Sequence, residues 1–525
     1  MLKSTNMQKY IRKYVVVVLL ALGILSLPSC TKNFASLNTN PDAVSTPVPS
    51  LVFTKALYDG AGNGQGTYGS STLDFLLGTM QYTTSYNDVA GWGSKYIASQ
   101  TTQAYQAFNA AYPDEINELG IVIKAVTGNA ADVNMLAEAR IWRVYCFSRL
   151  TDLYGDIPYS QAGLGYDSSL YKPAYDTQQS IYADMLSELS AAIQSLDASK
   201  TTFGAADLLY GGSTTQWTKF AYSLMLRLGM RMTKVDIASA QTWVTKAIAG
   251  GVITADADIA KMPYLTSGQK INQNPLALDL WSNDYIAQNG LTNTEGGKYQ
   301  IVWIDSLQAY NDPRLPVISV VWVNGAPDTA ASIQVGMSPD LENTEPANFG
   351  SLSEPSPATV LLLGSPKLIF TAAESYFLLA EAALRGWYSG ASASTLYQNG
   401  IAAAMRQWAI IAGSAGTIPT AQINTYIANN PLNTAGSFDQ QMQQIYTQFW
   451  FGIFPDAQEV FATYRRTGYP TLVPNNYPGN ATGGQIFRRM EYPISEQNLN
   501  PTSYAAAIAD QGPDDFMTRI WWDKQ

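Results

Sequence analysis

The feature that most constrains the fold is a helical spacing of apolar residues that recurs along most of the chain. Steps of three and four residues place apolar side chains on one face of an α-helix. One such stripe consists of Met135, Ala139, Trp142, Cys146, Leu150 and Leu153. Stripes of this kind predict helix pairs at 100–127 with 131–154, 178–198 with 216–234, 368–388 with 392–412, and 438–452 with 456–466. Paired helices in series indicate a mostly α fold, a TPR-like helix-pair solenoid scaffold.

One long segment departs from this pattern. Residues 250–366 are rich in Gly, Pro, Asn, Ser and Thr and carry short strand-like runs, which include Trp303 and Trp322. The run that ends at Val323 precedes Asn324-Gly325, a sequence typical of a hairpin turn. We predict a loop-rich, short-stranded insertion with little helix, the expected ligand-binding region. It separates a first helical half at 50–249 from a second helical half and C-terminal segment at 367–525.

The N-terminus has the order of a secretion signal. Four basic residues precede an apolar run from Val15 to Leu27. That run has 13 residues, fewer than the roughly 20 that a membrane-spanning helix needs. It ends in Leu-Pro-Ser-Cys30, which is similar to a bacterial lipobox, where the cysteine is acylated after cleavage. We predict a signal peptide at 1–29 and a lipid-anchored arm at 30–49 attached through Cys30, the only link to a membrane.

Composition excludes several classes of function. The chain has no His, which removes Ser-His-Asp and Cys-His catalysis and HExxH zinc sites. Its two cysteines, Cys30 and Cys146, cannot form a CxxC metal pair. The net charge of −10 gives no general attraction to phosphate backbones. We expect no catalytic residue, no metal, no cofactor and no nucleic-acid partner.

An α/α-type glycosidase is the enzyme alternative, because such enzymes use two carboxylates. Glu374 and Glu381 share one face of a predicted helix and lie about 10.5 Å apart along its axis. This spacing exceeds the roughly 6.5–9.5 Å of inverting glycosidases. Arg385 follows Glu381 by one helical turn and favours an ion pair within the helix packing. A protein–protein scaffold is a third class that a solenoid allows.

Three polar motifs have structural interpretations. Gly155 follows the predicted helix end and is expected to stop that helix. Asn-Asp-Pro-Arg314 has the chemistry of a turn, and Arg314 is expected to pair with a carboxylate of this chain. Arg465 and Arg466 lie at a predicted helix C-terminus, whose partial negative charge favours cations.

An ordered set of short blocks runs through most of the chain. The blocks are Cys30–Phe34, Leu37–Pro41, Ala139–Arg149, Asp152–Tyr159, Asn311–Pro316, Ala373–Glu381, Tyr464–Pro470, Arg489–Pro493 and Ile520–Lys524. In this order the set resembles the SusD/RagB family of nutrient-binding outer-membrane lipoproteins. The resemblance implies a TPR-containing helical fold, no catalysis, and a place on the outer membrane facing the cell exterior. It also implies a SusC-like TonB-dependent transporter as partner, over which the chain acts as a hinged lid, with glycans or, in some members, peptides as cargo.

Aromatic residues outside the helical stripes are the candidates for a ligand platform. The chain has 32 Tyr and 12 Trp but only 14% charged residues, against about 25% in typical soluble domains. Such a surface favours a sugar over a protein partner, because rings stack on pyranose faces while amides bond hydroxyls. The candidates are Trp92, Trp281 and Trp322, with Tyr86, Tyr96, Tyr285, Asn87 and Asn283 beside them. We therefore expect a non-catalytic glycan-binding lipoprotein, with peptide binding as the alternative within the family.

Overall fold

A computed structural model describes residues 47–62, 70–87, 92–97, 102–165, 169–281 and 296–524, with only the backbone for 70–74, 92 and 102–104. The chain divides into two units, Met1–Val48 and Pro49–Gln525. The predicted signal peptide at 1–29 and the lipid attachment at Cys30 lie outside the described residues. The second unit contains the hydrophobic core.

The first part of this unit is helical, as predicted. Its elements are α1 (Pro49–Gly60), α2 (Ser70–Thr79), β1 (Thr83–Ser85), α3 (Trp92–Lys95), α4 (Thr102–Ala111), α5 (Asn117–Val126), α6 (Val133–Tyr154), α7 (Gln178–Ser195), α8 (Thr214–Arg231) and α9 (Ile237–Gly250). Helix α6 packs against both α5 and α7, and α8 packs against α9. Side chains of Thr177, Ser213 and Asp236 cap the first turns of α7, α8 and α9.

Helix α6 ends where the sequence predicts. Gly155 has φ +82°, a conformation that side chains other than glycine rarely adopt. A Cβ atom at this position would lie 1.6 Å from Oε1 of Gln511. The glycine therefore stops the helix, and its lack of a side chain leaves room for the C-terminal segment to pack against the helix end.

The predicted insertion contains short strands and also helices. Its elements are β2 (Ala260–Met262), α10 (Pro275–Asp279), β3 (Gly297–Tyr299), α11 (Ile301–Ala309), α12 (Leu315–Ile318), β4 (Ser319–Val323), β5 (Ala326–Asp328) and β6 (Glu354–Pro355). The hairpin at Asn324-Gly325 is confirmed: both residues have positive φ, and β4 pairs with β5.

The strand-like assignment of Trp303 is wrong. Trp303 lies in helix α11 and is fully buried. Its ring packs edge-on against Tyr82 and Trp450, with centroids 4.7 and 4.9 Å apart. Burial on all sides removes the polar alternation that would distinguish a helix from a strand in so short a run.

The second helical part follows strand β7 (Lys367–Phe370), which pairs with β2. Its helices are α13 (Ala372–Leu384), α14 (Ala393–Ala412), α15 (Thr420–Asn429), α16 (Phe438–Ile453), α17 (Ala457–Thr467), α18 (Ile494–Leu499) and α19 (Pro501–Gln511). Helices α13 and α14 pack together, and α16 packs against both of them and α17. Ser437 and Gln440 form a capping box at the start of α16.

Several charged side chains are buried in the fold. Arg314 binds Asp312, as the sequence predicts, and both side chains are buried. Arg465 and Arg466 lie in the last turn of α17, before Gly468 in the left-handed conformation, and are also buried. None of the helices in the described ranges is long and apolar enough to cross a membrane.

Candidate ligand-binding surface

Strands β1 and β3 form the frame of the candidate site. They pair antiparallel, with Thr83 opposite Tyr299 and Ser85 opposite Gly297. Tyr86 and Asn87 follow β1 directly, so the strand pair fixes where their backbone leaves the sheet. Asn87 is held by its backbone N–H, which donates to Oγ of Ser85 at 2.9 Å.

Tyr86 packs over a small apolar cluster that is separate from the main core. This cluster consists of Met337, Phe349 and Leu352, with Tyr86 and Leu341 packed against it. The Tyr86 ring meets the Phe349 ring edge-on, with centroids 5.3 Å apart. Its hydroxyl donates to Oε2 of Glu345 at 3.1 Å.

Gly296 allows the strand to approach the Tyr86 ring. It has φ +70°, and a Cβ atom there would lie 2.4 Å from Cε1 of Tyr86. The ring is therefore held between Gly296 on one side and Phe349 on another. Tyr86 itself is half-buried, which leaves part of its ring accessible to a ligand.

Lys95 ties the short helix α3 to this cluster. Its side chain is buried, and Nζ donates to the carbonyl oxygens of Leu341 at 2.7 Å and Tyr86 at 3.3 Å. The same ammonium lies 4.6 Å from the centroid of the Tyr477 ring. One cation thus connects three chain segments behind the surface.

A buried ion pair connects the cluster around Phe349 to Trp322. Lys298 Nζ lies 4.5 Å from the Phe349 ring centroid and donates to Oε2 of Glu354. The indole N–H of Trp322 donates to the other oxygen of Glu354. Trp322 is half-buried, so its ring is oriented from beneath while part of it stays accessible. We call Tyr86, Asn87 and Trp322 the aromatic surface.

A later loop supports the same region from behind. Asn475 Nδ2 donates to the carbonyl oxygens of Ser94 at 3.2 Å and Pro339 at 3.1 Å. The N–H of Ala481 donates to the carbonyl of Tyr96 at 2.7 Å. These contacts fix helix α3 and the loop before Phe349 in place.

A family model decides the relationship of this chain to known proteins. The SusD-like model, described as starch-binding and associating with the outer membrane, matches residues 41–493. The chain belongs to the SusD-like family. The expectation drawn from the ordered sequence blocks is confirmed, since the match spans most of the chain.

Solved structures support the same assignment. A chitin-binding protein is 30% identical, with a TM-score of 0.78 over 91% of this SusD-like chain and 100% of that chain. A Bacteroidetes SusD-like protein has 25% identity and a TM-score of 0.78, with 91% and 100% covered. A chitin-binding SusD homolog from Flavobacterium johnsoniae has 25% identity and a TM-score of 0.69, with 91% and 98% covered. No curated protein matches the chain. The predicted TPR-like helical fold is confirmed.

The structure removes Tyr96 from the set of SusD-like ligand candidates. Its side chain is 2% exposed and packs edge-on against Phe487, with centroids 6.4 Å apart. Burial raises its pKa to about 12. The Gly- and Asn-rich context suggested a loop tyrosine at the surface, but the 471–485 loop covers it.

The described contacts of Trp281 lie in the main core and at Leu361. It packs against the main core, and its indole N–H donates to the carbonyl of Leu361 at 2.8 Å. Its described contacts do not join it to Tyr86 or Trp322. The backbone of Trp92 starts helix α3, three residues before Lys95, but its side chain is not described. Asn283 and Tyr285 lie outside the described residues.

Sequence reasoning missed the residues that orient the surface. Phe349, Lys298 and Glu354 were not among the candidates, although all three lie in the loop-rich segment. A signal was present for Phe349, which is a lone large apolar residue in the polar run Glu345-Pro-Ala-Asn-Phe-Gly-Ser351. An isolated aromatic in such a loop is typical of a side chain that packs inward.

Both carboxylates of the glycosidase alternative form hydrogen-bonded ion pairs with arginines. Glu374 is 2% exposed, and Arg227 donates to its two oxygens at 2.6 and 2.7 Å. Glu381 is also buried and accepts from Arg466 at 2.8 and 2.7 Å. Arg385 donates to Glu381 at 2.7 Å. These ion pairs give both carboxylates a structural role within the helix packing.

Burial would raise the pKa of Glu381, but the guanidinium of Arg466 lowers it to about 2. A carboxyl with so low a pKa stays ionised and cannot serve as a general acid at neutral pH. In the described ranges, no group of three or more His, Cys, Asp and Glu side chains is placed to hold a metal ion.

Proposed function

We propose that this SusD-like chain is a non-catalytic glycan-binding lipoprotein of the outer membrane that faces the cell exterior. The lipid on Cys30 anchors it. It captures oligosaccharides and delivers them to a SusC-like TonB-dependent transporter. The aromatic surface contacts the sugar, together with Trp92 at the start of α3, while Asn283 and Tyr285 remain further candidates.

The proposal rests mainly on one observation: Tyr86 and Trp322 are held in place by the same supporting residues. The two half-buried rings come from distant parts of the sequence, yet they share one support through Phe349, Lys298 and Glu354. Rings that are oriented before a ligand arrives lose little conformational entropy on binding. This arrangement suits the flat apolar faces of pyranose rings.

Simple energetics give the expected strength of binding. Burial of roughly 100 Å² at one stacked ring contributes about 2.5 kcal/mol. Millimolar affinity requires about 4 kcal/mol, so one ring is too weak and two or three are needed. Affinity in the millimolar to micromolar range follows after ordering costs. Binding of this strength allows release to a transporter.

Similarity to chitin-binding proteins selects the first ligand class to examine. Two of the similar solved structures are described as chitin-binding. We therefore propose oligomers of N-acetylglucosamine as the leading ligand class. The acetamido group of this sugar adds an amide that Asn87 can bond.

Titration calorimetry with chitohexaose, maltohexaose and cellohexaose tests the proposal. We expect the wild type to bind chitohexaose best and to leave it uncleaved. Tyr86→Ala and Trp322→Ala are each expected to weaken binding at least tenfold, because each removes a stacking ring worth about 2.5 kcal/mol before costs.

Trp243→Ala is the matched control. Trp243 is another half-buried surface tryptophan, in helix α9, and it shares no contact with the aromatic surface in the described chain. Its removal should leave affinity unchanged. Unaltered binding by both folded site variants would reject this surface as the site. Binding of peptides in place of every oligosaccharide would favour the peptide alternative.

Membrane attachment is tested separately. Cys30→Ser is expected to move the protein from the membrane fraction to the soluble fraction, because it removes the acylated thiol. Cys146→Ala serves as the control, since Cys146 is only 5% exposed and lies in helix α6. Retention of the Cys30→Ser protein in the membrane fraction would mean that another element anchors the chain.

A further inference from the structure

A groove lies between helix α15 and the turn that follows α11. It encloses about 370 Å³, within the roughly 300–1,000 Å³ of ligand pockets. It shares no residue with the aromatic surface. Its lining is uncharged and combines amide side chains with a larger apolar area, and it consists of Tyr310, Asn311, Pro313, Ala421, Gln422, Thr425, Tyr426, Asn429 and Asn430. We call it the amide groove.

Buried, hydrogen-bonded residues lie next to the lining of the amide groove. Arg314 donates from Nε and Nη2 to the two carboxylate oxygens of Asp312 at 2.8 and 2.5 Å, and both side chains are buried. The Arg314 guanidinium lies 5.9 Å from the ring centroid of Tyr426 and also donates to Gln448 at 3.3 Å. Gln448 in turn bonds the Tyr426 hydroxyl. The two charges next to the groove are therefore paired with each other.

The walls of the groove carry amides that are available to a ligand. The side chains of Asn311, Gln422 and Asn429 are exposed, and none of them hydrogen-bonds to another residue in the part of the chain that the structure describes. Asn311 has φ +50°, which turns the chain sharply beside the groove. Tyr310 adds a half-buried ring that packs edge-on against Phe451, with centroids 5.3 Å apart.

This lining selects a class of ligand. An ion would find no opposite charge among the lining residues, and the neighbouring charges of Asp312 and Arg314 are paired with each other. A purely apolar ligand would desolvate amides without giving them partners, which is costly. A neutral molecule rich in hydroxyl groups gives each amide a hydrogen-bond partner and places a sugar face near the Tyr310 ring.

We propose that the amide groove is a second carbohydrate subsite, separate from the aromatic surface. The inference rests on the proposed glycan-binding function for its ligand class. The family block Asn311–Pro316 then has two roles in this chain: Asp312 and Arg314 form a buried ion pair that supports the lining residue Tyr426, and Asn311 contacts the sugar.

Saturation-transfer NMR with chitotetraose, maltotetraose and cellotetraose tests the subsite. The aromatic surface is first disabled by Tyr86→Ala with Trp322→Ala. We expect weak binding of at least one tetrasaccharide to persist in this variant. Addition of Gln422→Ala and Asn429→Ala should weaken that residual binding at least fivefold. The two added positions are exposed and make no described side-chain contact, so the fold should survive.

Controls separate the subsite from the primary proposal. Gln241→Ala, on the exposed face of α9, should leave the residual binding unchanged.

Four outcomes would contradict one of the two proposals. If the wild type binds tetrasaccharide while the aromatic-surface variant binds none, the subsite is overturned and the proposed function stays intact. Residual binding that is unaffected by Gln422→Ala with Asn429→Ala also overturns it. A wild type that binds no saccharide overturns the proposed function itself. Residual binding of tetraalanine but of no tetrasaccharide replaces the sugar with a peptide and overturns the subsite.

Discussion

Arg466→Met is expected to lower the free energy of unfolding by about 3 kcal/mol or more at pH 7, because it leaves a buried carboxylate short of its main partner. Glu381 is fully buried and accepts two hydrogen bonds from Arg466, one from Tyr446 and one from Arg385. Removal of one member of a buried ion pair typically costs about 3–5 kcal/mol. Arg385 remains in the variant, which places the expected loss toward the lower end.

The sign of the pH dependence follows from the low pKa of Glu381. Its folded pKa of about 2 lies below the ordinary value of 4.5. In the wild type this carboxylate therefore contributes stability above pH 4.5 that is lost as the pH falls toward 2. The loss caused by Arg466→Met should accordingly be smaller at pH 4 than at pH 7.

Urea unfolding followed by tryptophan fluorescence measures this effect. Arg406→Met is the matched control, because Arg406 forms an ion pair with Asp256 in which the two side chains are 45% and 34% exposed. Exposed pairs contribute about 0–1 kcal/mol. Addition of Glu381→Gln to the Arg466→Met variant should restore part of the stability. Equal losses for Arg466→Met and Arg406→Met would contradict a structural role for the buried pair.

Glu138→Gln is expected to raise the free energy of unfolding by about 3 kcal/mol at pH 7. Glu138 is fully buried in helix α6, and its closest described partner is the N–H of Phe203 at 3.4 Å. Its other oxygen has no hydrogen-bond partner among the described residues. Burial, and then the nearby charge of Asp207, raise its pKa to about 8.

A raised carboxyl pKa means that the folded state binds the proton more tightly than the unfolded state. The wild type therefore loses stability as the pH rises from 4.5 to about 8, by about 1.4 kcal/mol per pH unit. Glutamine has the shape of the protonated acid and does not titrate. The variant therefore does not lose stability through this group as the pH rises. The gain should be near zero at pH 4 and should grow through pH 7.

Urea midpoints between pH 4 and pH 8 measure this difference. Glu188→Gln is the control: Glu188 pairs with Arg140 near the surface, with side chains 20% and 25% exposed, and its replacement should lower stability slightly. A Glu138→Gln variant that is no more stable than the wild type at pH 8 would show that the buried carboxyl is not held protonated.

Much of the helical frame could be predicted because helix formation leaves a local, periodic signal. The predicted segment 131–154 corresponds to α6 (Val133–Tyr154), and 392–412 corresponds to α14 (Ala393–Ala412). Helix α9 was not predicted as the partner of α8, because its buried face consists of Ala240, Val244 and Ala247. Two alanines and one valine give a weak apolar stripe.

The candidate site was only partly predictable, because exposure of an aromatic ring depends on distant segments. Tyr86 and Tyr96 occur in the same polar sequence context, yet Tyr86 is half-buried and Tyr96 is enclosed beside Phe487. Trp322 connects to the residues around Tyr86 through Glu354 and Lys298. Contacts between residues that are far apart in the sequence produce no periodic pattern from which they could be predicted.

The sequence alone therefore determined most of the helical segments, the stop at Gly155, the hairpin at Asn324-Gly325 and the family of this chain. Each rests on local chemistry: apolar spacing, backbone conformations that glycine permits, or short motifs in a fixed order. Only the tertiary structure decided that Tyr86 and Trp322 share one support and that Tyr96 and Trp303 are buried. The physical reason is that burial and long-range ion pairs arise when segments far apart in sequence pack together, which excludes water from some side chains and leaves others exposed.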